Sequence, residues 1–410
     1  MKAVLGGLVA LGLVGLPPQA PQPPQFRGGT GLILIDAHVV GRRDGKPIEG
    51  LTADQFEVQI DGRKRAIESV EFVRAVGASP GRDSGAVAPS ATPSPAGAPR
   101  EGRIIMLTVD QASFPVTATA SAREAATRVV NSVAPEDYLG LVSIPGEIEI
   151  GPTRNHTEIR NAIRRISGQR MDPVSPRFNI SASEASLIKS RDQSARTIVS
   201  RECARDKGNV MCPKEVEAEG GRIADMLEHQ AMTSIIGLRG LLDGMKALPG
   251  RKTLLFVSAG IPMSSKPGGR PNMSIETDDV GRRAAAANVS LYVLYMNVHF
   301  LQAFSAASGR QNTAIFNDIT MFGQGLERFA ESAGGTFFQV QVQSDPFVAR
   351  AMRESSAAYV LTVQALPAER DGKEHFIRVT TKQRDADIRF RRIVVIPKES
   401  SKFEVQSSKY

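Results

Sequence analysis

Three segments of this chain place long apolar side chains at nearly every position instead of at every second one: Ile104 to Val109, Leu254 to Val257 and Val289 to Leu294. A strand with one face in water alternates apolar and polar residues. Unbroken runs of this length suit strands covered on both faces, as in a parallel sheet layered by helices. The first run ends in Asp110, followed by Gln111, Ala112 and Ser113. Open α/β sheets bind ligands just beyond the carboxyl ends of their strands, so Asp110 is expected at the edge where a site would lie.

Helical spacing fills the intervals between these runs. Ala122, Ala125, Ala126, Val129, Val130 and Val133 predict a helix over 117–133, with Thr119 or Ser121 as its cap. Residues 137–144 are expected as a strand, 147–150 as a short one, and 157–166 as a helix. A stripe from Ile223 through Leu227, Ile235, Leu238 and Leu242 to Met245 predicts a long helix over 222–248, stopped by Pro249-Gly250. Further helices are expected near 276–288, 325–333 and 345–355, with an edge strand at 335–340. This alternation predicts a doubly wound, mostly parallel α/β sheet over 102–355. Residues from about 168 to 220 break the rhythm and read as an insertion, which also contains Phe178.

The flanks differ in character. Residues 1–26 combine Met1-Lys2, an uncharged stretch from Ala3 to Leu16 and a Pro/Gln-rich spacer, the layout of a secretory signal or an N-terminal anchor. Segment 27–76 alternates apolar and polar residues around the turns Asp44-Gly45 and Asp61-Gly62, a small β unit. Residues 77–101 are rich in Pro, Ala, Gly and Ser and read as a flexible linker. The tail, 356–410, carries three further strands. A few strands bury little alone, so the N- and C-terminal strands are expected to join in one β-sandwich-like unit.

The balance of 51 Lys and Arg against 43 Asp and Glu gives a formal charge of +8. The basic residues are scattered in pairs without interleaved aromatics, so nucleic acid is not expected as a partner. Cys203 and Cys212 are the only cysteines. Two thiols without nearby histidines do not complete a zinc shell, which leaves a short disulfide or two free thiols. With the N-terminal signal, a secreted, periplasmic or cell-envelope location is expected, with membrane contact only through the N-terminal segment.

A strand ending in an acid, an amphipathic helix after it, and about 250 residues of alternating strand and helix resemble the von Willebrand factor A domain. The stretches Gly50-Leu51-Thr52-Ala53-Asp54-Gln55-Phe56-Glu57-Val58 and Arg251-Lys252-Thr253-Leu254-Leu255-Phe256-Val257-Ser258-Ala259-Gly260, with the closing β tail, resemble the exported VWFA-related proteins described from acidobacteria. The resemblance implies a von Willebrand factor A-like fold and a metal-ion-dependent adhesion site that holds Mg²⁺ through hard oxygen ligands. Here that site is degenerate. Asp110 matches the leading acid, but Ala112 and Phe114 stand where the motif has serines, and Ser113 is one place out of register. Ser258 and Gly260 occupy the loop where a second acid belongs, and no threonine is assigned, although Thr153 and Ser175 lie in neighbouring segments. Asp110 and Ser113 are the candidate metal ligands, and no cofactor is required.

Other chemistries find little support. Gly250-Arg251-Lys252-Thr253 lacks the glycine before the lysine of a phosphate loop and precedes a strand instead of following one. No nucleophile elbow forms around Ser258. Glu276, Asp278 and Asp279 fall in the first turn of a helix, where negative charge is favoured without any site. The expected function is that of a non-enzymatic interaction or adhesion-type protein, binding a protein or cell-surface ligand through Asp110, Gln111, Ser113 and Ser258. Two alternatives make different demands. A hydrolase would bring Asp110 to a histidine such as His156, and a structural envelope protein would bury the edge beneath the insertion.

Overall fold

The computed structural model describes residues 31–74, 103–171, 177–204, 206, 208–264, 266, 268–298, 312–340 and 344–398. The N-terminal segment 1–26, the linker 77–101 and Ser175 lie outside them. The three apolar runs form the middle of a six-stranded sheet: β5 (Ile104–Asp110), β8 (Lys252–Ser258) and β9 (Val289–Met296). To these are added β6 (Tyr138–Ile144), β7 (Glu149–Thr153) and β10 (Thr336–Val340), in the order β10-β9-β8-β5-β6-β7. Neighbours pair in parallel except β7, which runs antiparallel to β6 at one edge. The sheet grows outward in one direction from β5 to β7 and in the other from β8 to β10. The order therefore reverses between β5 and β8, the position where such sheets open a crevice at their carboxyl ends.

Helices cover both faces. On one, α1 (Thr119–Ser132), α2 (His156–Ile163) and α8 (Asp345–Glu354) bury Ala126, Val129, Ile159 and Val348 against Leu107, Leu141 and Leu255. On the other, α5 (Cys212–Met245), α6 (Ser274–Ala286) and α7 (Asn312–Ser332) bury Ile235, Leu238, Val280 and Phe329 against Met106, Leu254 and Phe256. The protein is thus mixed α/β, with a mostly parallel sheet between two helical layers.

Several boundaries differ from the sequence expectation. The first helix begins at Thr119 with Ala118 at its N-cap; the Thr119 hydroxyl instead accepts the Gly168 N–H at 3.0 Å. Helix α7 starts thirteen residues before the expected Gly325, at Asn312. Helix α5 begins at Cys212, ten residues before the expected Arg222, so the insertion is shorter than expected, and it carries helices of its own. The extension contains a glycine pair, Gly220-Gly221, that local propensity alone disfavours in a helix. Gly220 in fact sits against Ile188, where an added Cβ would lie 2.7 Å from the Ile188 Cδ1.

At 34 residues α5 is about 51 Å long, whereas a seven-residue strand spans about 23 Å. Its last third flanks the sheet: Ser234 lies at the carboxyl edge and Gly237 against Ile144, while the Lys252 ammonium reaches the Leu248 carbonyl at the amino edge. The first two-thirds continue past the carboxyl edge. Against that projecting part pack α3 (Ala182–Lys189) and α4 (Ala195–Cys203), burying Ala185, Ile188 and Ile198 on Val216, Ile223 and Ala224. The Cys203–Cys212 disulfide joins the end of α4 to the start of α5, with Cα atoms 5.8 Å apart. The insertion is therefore a helical cap.

Strands from both ends of the chain interleave. β1 (Leu32–Gly41), β4 (Ile67–Arg74), β11 (Ala357–Gln364) and β13 (Ala386–Phe390) form one sheet in the order β13-β1-β11-β4. β2 (Phe56–Ile60), β3 (Arg63–Arg65), β12 (Glu374–Thr381) and β14 (Ile393–Val395) form another, in the order β14-β12-β2-β3. Ile33, Ile35 and Leu361 of the first share a core with Val58, Ile60 and Val379 of the second. This unit sits against the amino edge of the large sheet: Asp36 accepts from Arg251 at 2.8 Å, and His38 lies 3.4 Å from the Ser290 hydroxyl.

Candidate functional site

The carboxyl edge brings together the residues singled out in the sequence. Asp110 ends β5 and Ser258 ends the neighbouring β8, so parallel pairing alone sets them side by side. The Ser258 hydroxyl donates to Asp110 Oδ2 at 2.8 Å and accepts the Gly260 N–H at 3.1 Å. Asp110 Oδ1 accepts, also at 2.8 Å, from the hydroxyl of Ser234 on α5. Ser113, in the turn that follows β5, donates to the Asp110 carbonyl at 2.7 Å and accepts the Ala259 N–H at 2.8 Å. One carboxylate and three hydroxyls thus knit β5, β8 and α5 together.

This node is sealed. Asp110, Gln111 and Ser258 have no exposed surface, and Ser113 is 5% exposed. Gln111 belongs to the supporting turn: its side-chain oxygen accepts the Ser167 N–H at 2.7 Å and its carbonyl the Gln169 N–H at 2.8 Å. Buried Arg170 closes the other side, donating to the Ser113 carbonyl at 2.9 Å with its guanidinium 5.7 Å from the centre of the Phe322 ring. Gly168 makes this closure possible. A Cβ there would lie 2.3 Å from the Pro115 carbonyl oxygen.

Burial dominates the electrostatics. It raises the Asp110 carboxyl from its ordinary 3.8 to about 7, even though the hydroxyls of Ser234 and Ser258 favour its ionised form. The donor set does not fit the Mg²⁺ implied by the family resemblance. Mg²⁺ takes near-octahedral oxygen ligands, usually with carboxylates supplying charge, whereas here a single acid has both oxygens committed to hydroxyl donors. Among the described residues, no three His, Cys, Asp or Glu side chains are grouped as metal ligands would be.

The histidine considered for a hydrolase is elsewhere. His156 Nε2 lies 3.0 Å from the carbonyl of Asp137, which directly precedes β6 at the amino edge. Asp110 stands at the other end of the adjoining strand, about 20 Å away by strand rise, so the two cannot share a substrate. Thr153 is also remote, paired with Leu139 near the start of β6. Two of the three acidic residues of α6 are held in ion pairs, Asp278 with Arg328 at 2.9 Å and Asp279 with Arg283 at 2.9 Å.

Sequence reasoning missed Ser234 and Arg170. Ser234 carried a signal, since it continues the inward stripe of Leu227, Ala231 and Leu238 and is the one polar residue there. Arg170 lies two residues after Gly168 in an irregular stretch and carried none.

The loop that follows β8 and helix α7 enclose an open cleft of about 620 Å³, lined by Met263, Ser264, Lys266, Asn272, Gln324 and Arg328 among others. The cap borders it. Lys266 pairs with Asp192 at 2.7 Å, the Arg270 N–H donates to the Ser190 hydroxyl at 2.9 Å, and Asp318 of α7 accepts from Ser181 at 3.0 Å and from the Ser183 N–H at 2.7 Å. No protein-family model matches this chain, and no curated protein matches it.

Proposed function

We propose that this chain is an exported, non-enzymatic interaction protein with a von Willebrand factor A-like domain, in which partner binding has moved away from the leading acid of the adhesion motif. The observation that carries the reading is the sealing of Asp110. Serine hydroxyls occupy both of its carboxylate oxygens, so it serves as an internal tie, and the exposed part of the same edge is the cleft between the loop that follows β8 and α7. The partner is a protein or cell-surface ligand, met without a metal ion. The sheet order and the position of Asp110 at its switch point support the family assignment. The Cys203–Cys212 disulfide supports an oxidising compartment and hence export.

The test is thermal unfolding of the intact protein in EDTA against millimolar Mg²⁺, Ca²⁺ or Mn²⁺, with Asp110→Ala alongside. A ligand at a hundred times its dissociation constant adds about 2.7 kcal/mol, a visible shift. The expected result is the same melting temperature in every condition. A cation-induced rise that Asp110→Ala abolishes sinks the metal-independent reading. Binding to cell-envelope extract should likewise survive EDTA and fall on charge reversal of Lys266 and Arg328. Covering of the Asp110 edge favours a second reading, a structural envelope protein. That reading predicts no loss of binding from the cleft variants.

A further inference from the structure

His375, on β12 of the β unit, is 7% exposed and has a carboxylate at each ring nitrogen. Its Nδ1 lies 2.7 Å from Asp61 Oδ2 and its Nε2 lies 3.2 Å from Asp371 Oδ1. The two acids come from different turns. Asp61 stands between β2 and β3 in left-handed backbone, φ 49°, and its other oxygen accepts the Phe376 N–H at 2.9 Å. Asp371 precedes β12 and accepts the Lys373 N–H at 2.8 Å. The Gly372 N–H in that second turn donates to the Ile396 carbonyl beyond β14 at 3.0 Å.

A neutral imidazole has one N–H and one lone pair. In this arrangement it can satisfy one carboxylate only, and the lone pair then faces the other acid. An imidazolium satisfies both with charge-assisted hydrogen bonds. The remaining groups facing the ring do not change this balance. Val394, opposite His375 on β14, is apolar; Arg65 on β3 acts on Asp61 but is itself paired with Glu369; Lys373 lies beside Asp371. Glu374 is turned toward Arg282 at 3.7 Å.

We propose that Asp61, His375 and Asp371 form a pH-sensitive clasp, which fastens the β2–β3 turn and the 371–373 turn to β12 while both ring nitrogens carry protons and slackens when one proton leaves. The direction agrees with the environment of each group. Burial lowers the affinity of His375 for its proton, but the two carboxylates outweigh burial and raise it above the ordinary 6.5. Asp61 is held below its ordinary range chiefly by the hydrogen bond from His375, and Asp371 chiefly by the Lys373 N–H. For a histidine raised in the fold, the added stability is complete below pH 6.5 and disappears as pH rises through the higher folded value. The clasp is closed in acid and open in alkali.

Histidine ring NMR on the intact protein tests this, with the His375 signal assigned by its loss in His375→Gln. Asp61→Asn and Asp371→Asn keep the shape of each acid without its charge and serve even where the glutamine variant does not fold. The expected midpoint for His375 lies above 6.5 and drops in both asparagine variants. The melting temperature of the wild type should also fall more between pH 6.5 and 9 than that of either variant. A midpoint at or below 6.5, a raised midpoint that neither substitution moves, or parallel melting profiles for all three proteins overturns the clasp.

Discussion

Replacing Asp110 with asparagine isolates the energetics of the sealed node. Asparagine keeps the side-chain shape, accepts one serine hydroxyl through its oxygen and offers its amide to the other serine. Ser234 can take that role because its hydroxyl also lies 3.4 Å from the Gln230 carbonyl, an alternative acceptor for its proton. In the wild type, burial lifts the carboxyl from 3.8 to about 7. Between those values the folded protein holds a proton that the unfolded chain has released, so stability falls as pH rises across the window. At 1.36 kcal/mol per pH unit the full span amounts to about 4 kcal/mol. Asparagine has no proton to lose. The stability of Asp110→Asn relative to the wild type should therefore climb by about 4 kcal/mol from pH 4 to pH 8 and stay level above that. Urea unfolding of both proteins at one-unit pH intervals measures the difference, and contributions common to both cancel. A difference that stays flat through pH 4–8 refutes the assignment of Asp110 as a buried acid. One that declines with pH means that the fold favours the ionised carboxylate, as an open polar or cation-binding site would.

The other predictions concern the pieces that close this edge. Ser234→Ala removes the hydroxyl on Asp110 Oδ1 and leaves a buried carboxyl oxygen unpaired; the expected cost in urea unfolding is about 1–3 kcal/mol, and a loss near zero would mean that α5 does not seal the node. Gly220→Ala drives a methyl group into Ile188, with an expected cost of about 1–3 kcal/mol from overpacking, and combining it with Ile188→Val should recover part of the loss. Reduction of Cys203–Cys212 releases a nine-residue separation, which loop entropy values at about 2–3 kcal/mol; the melting temperature should drop with dithiothreitol in the wild type and not in a Cys203→Ser, Cys212→Ser protein.

Particular residues show how far the sequence can be read. The unbroken runs ending in Asp110 and Ser258 were legible because a strand buried on both faces needs apolar side chains at every position, and no other local pattern meets that need. The paired strands of the two termini were legible for a related reason: neither set could bury its apolar face alone. By contrast, the first ten residues of α5 were not legible: the glycine pair at 220–221 weakens a helix by local propensity, while the reason for Gly220, contact with Ile188, comes from 32 residues earlier in the chain. Ser234 was missed in the same way. Its partner Asp110 is 124 positions away, and within α5 the serine appears only as a flaw in an apolar stripe.

The sequence by itself determined the layered α/β core, the β strands at both ends and the acid at the end of the first central strand, since each follows from side-chain periodicity along a few neighbouring residues. Only the tertiary structure decided what that acid does. The same Asp110 at the end of the same strand is an open ligand or a buried tie according to whether a distant helix reaches across the edge. Here the extended α5 does so, and the resulting desolvation, not the local motif, sets both its proton affinity and its accessibility.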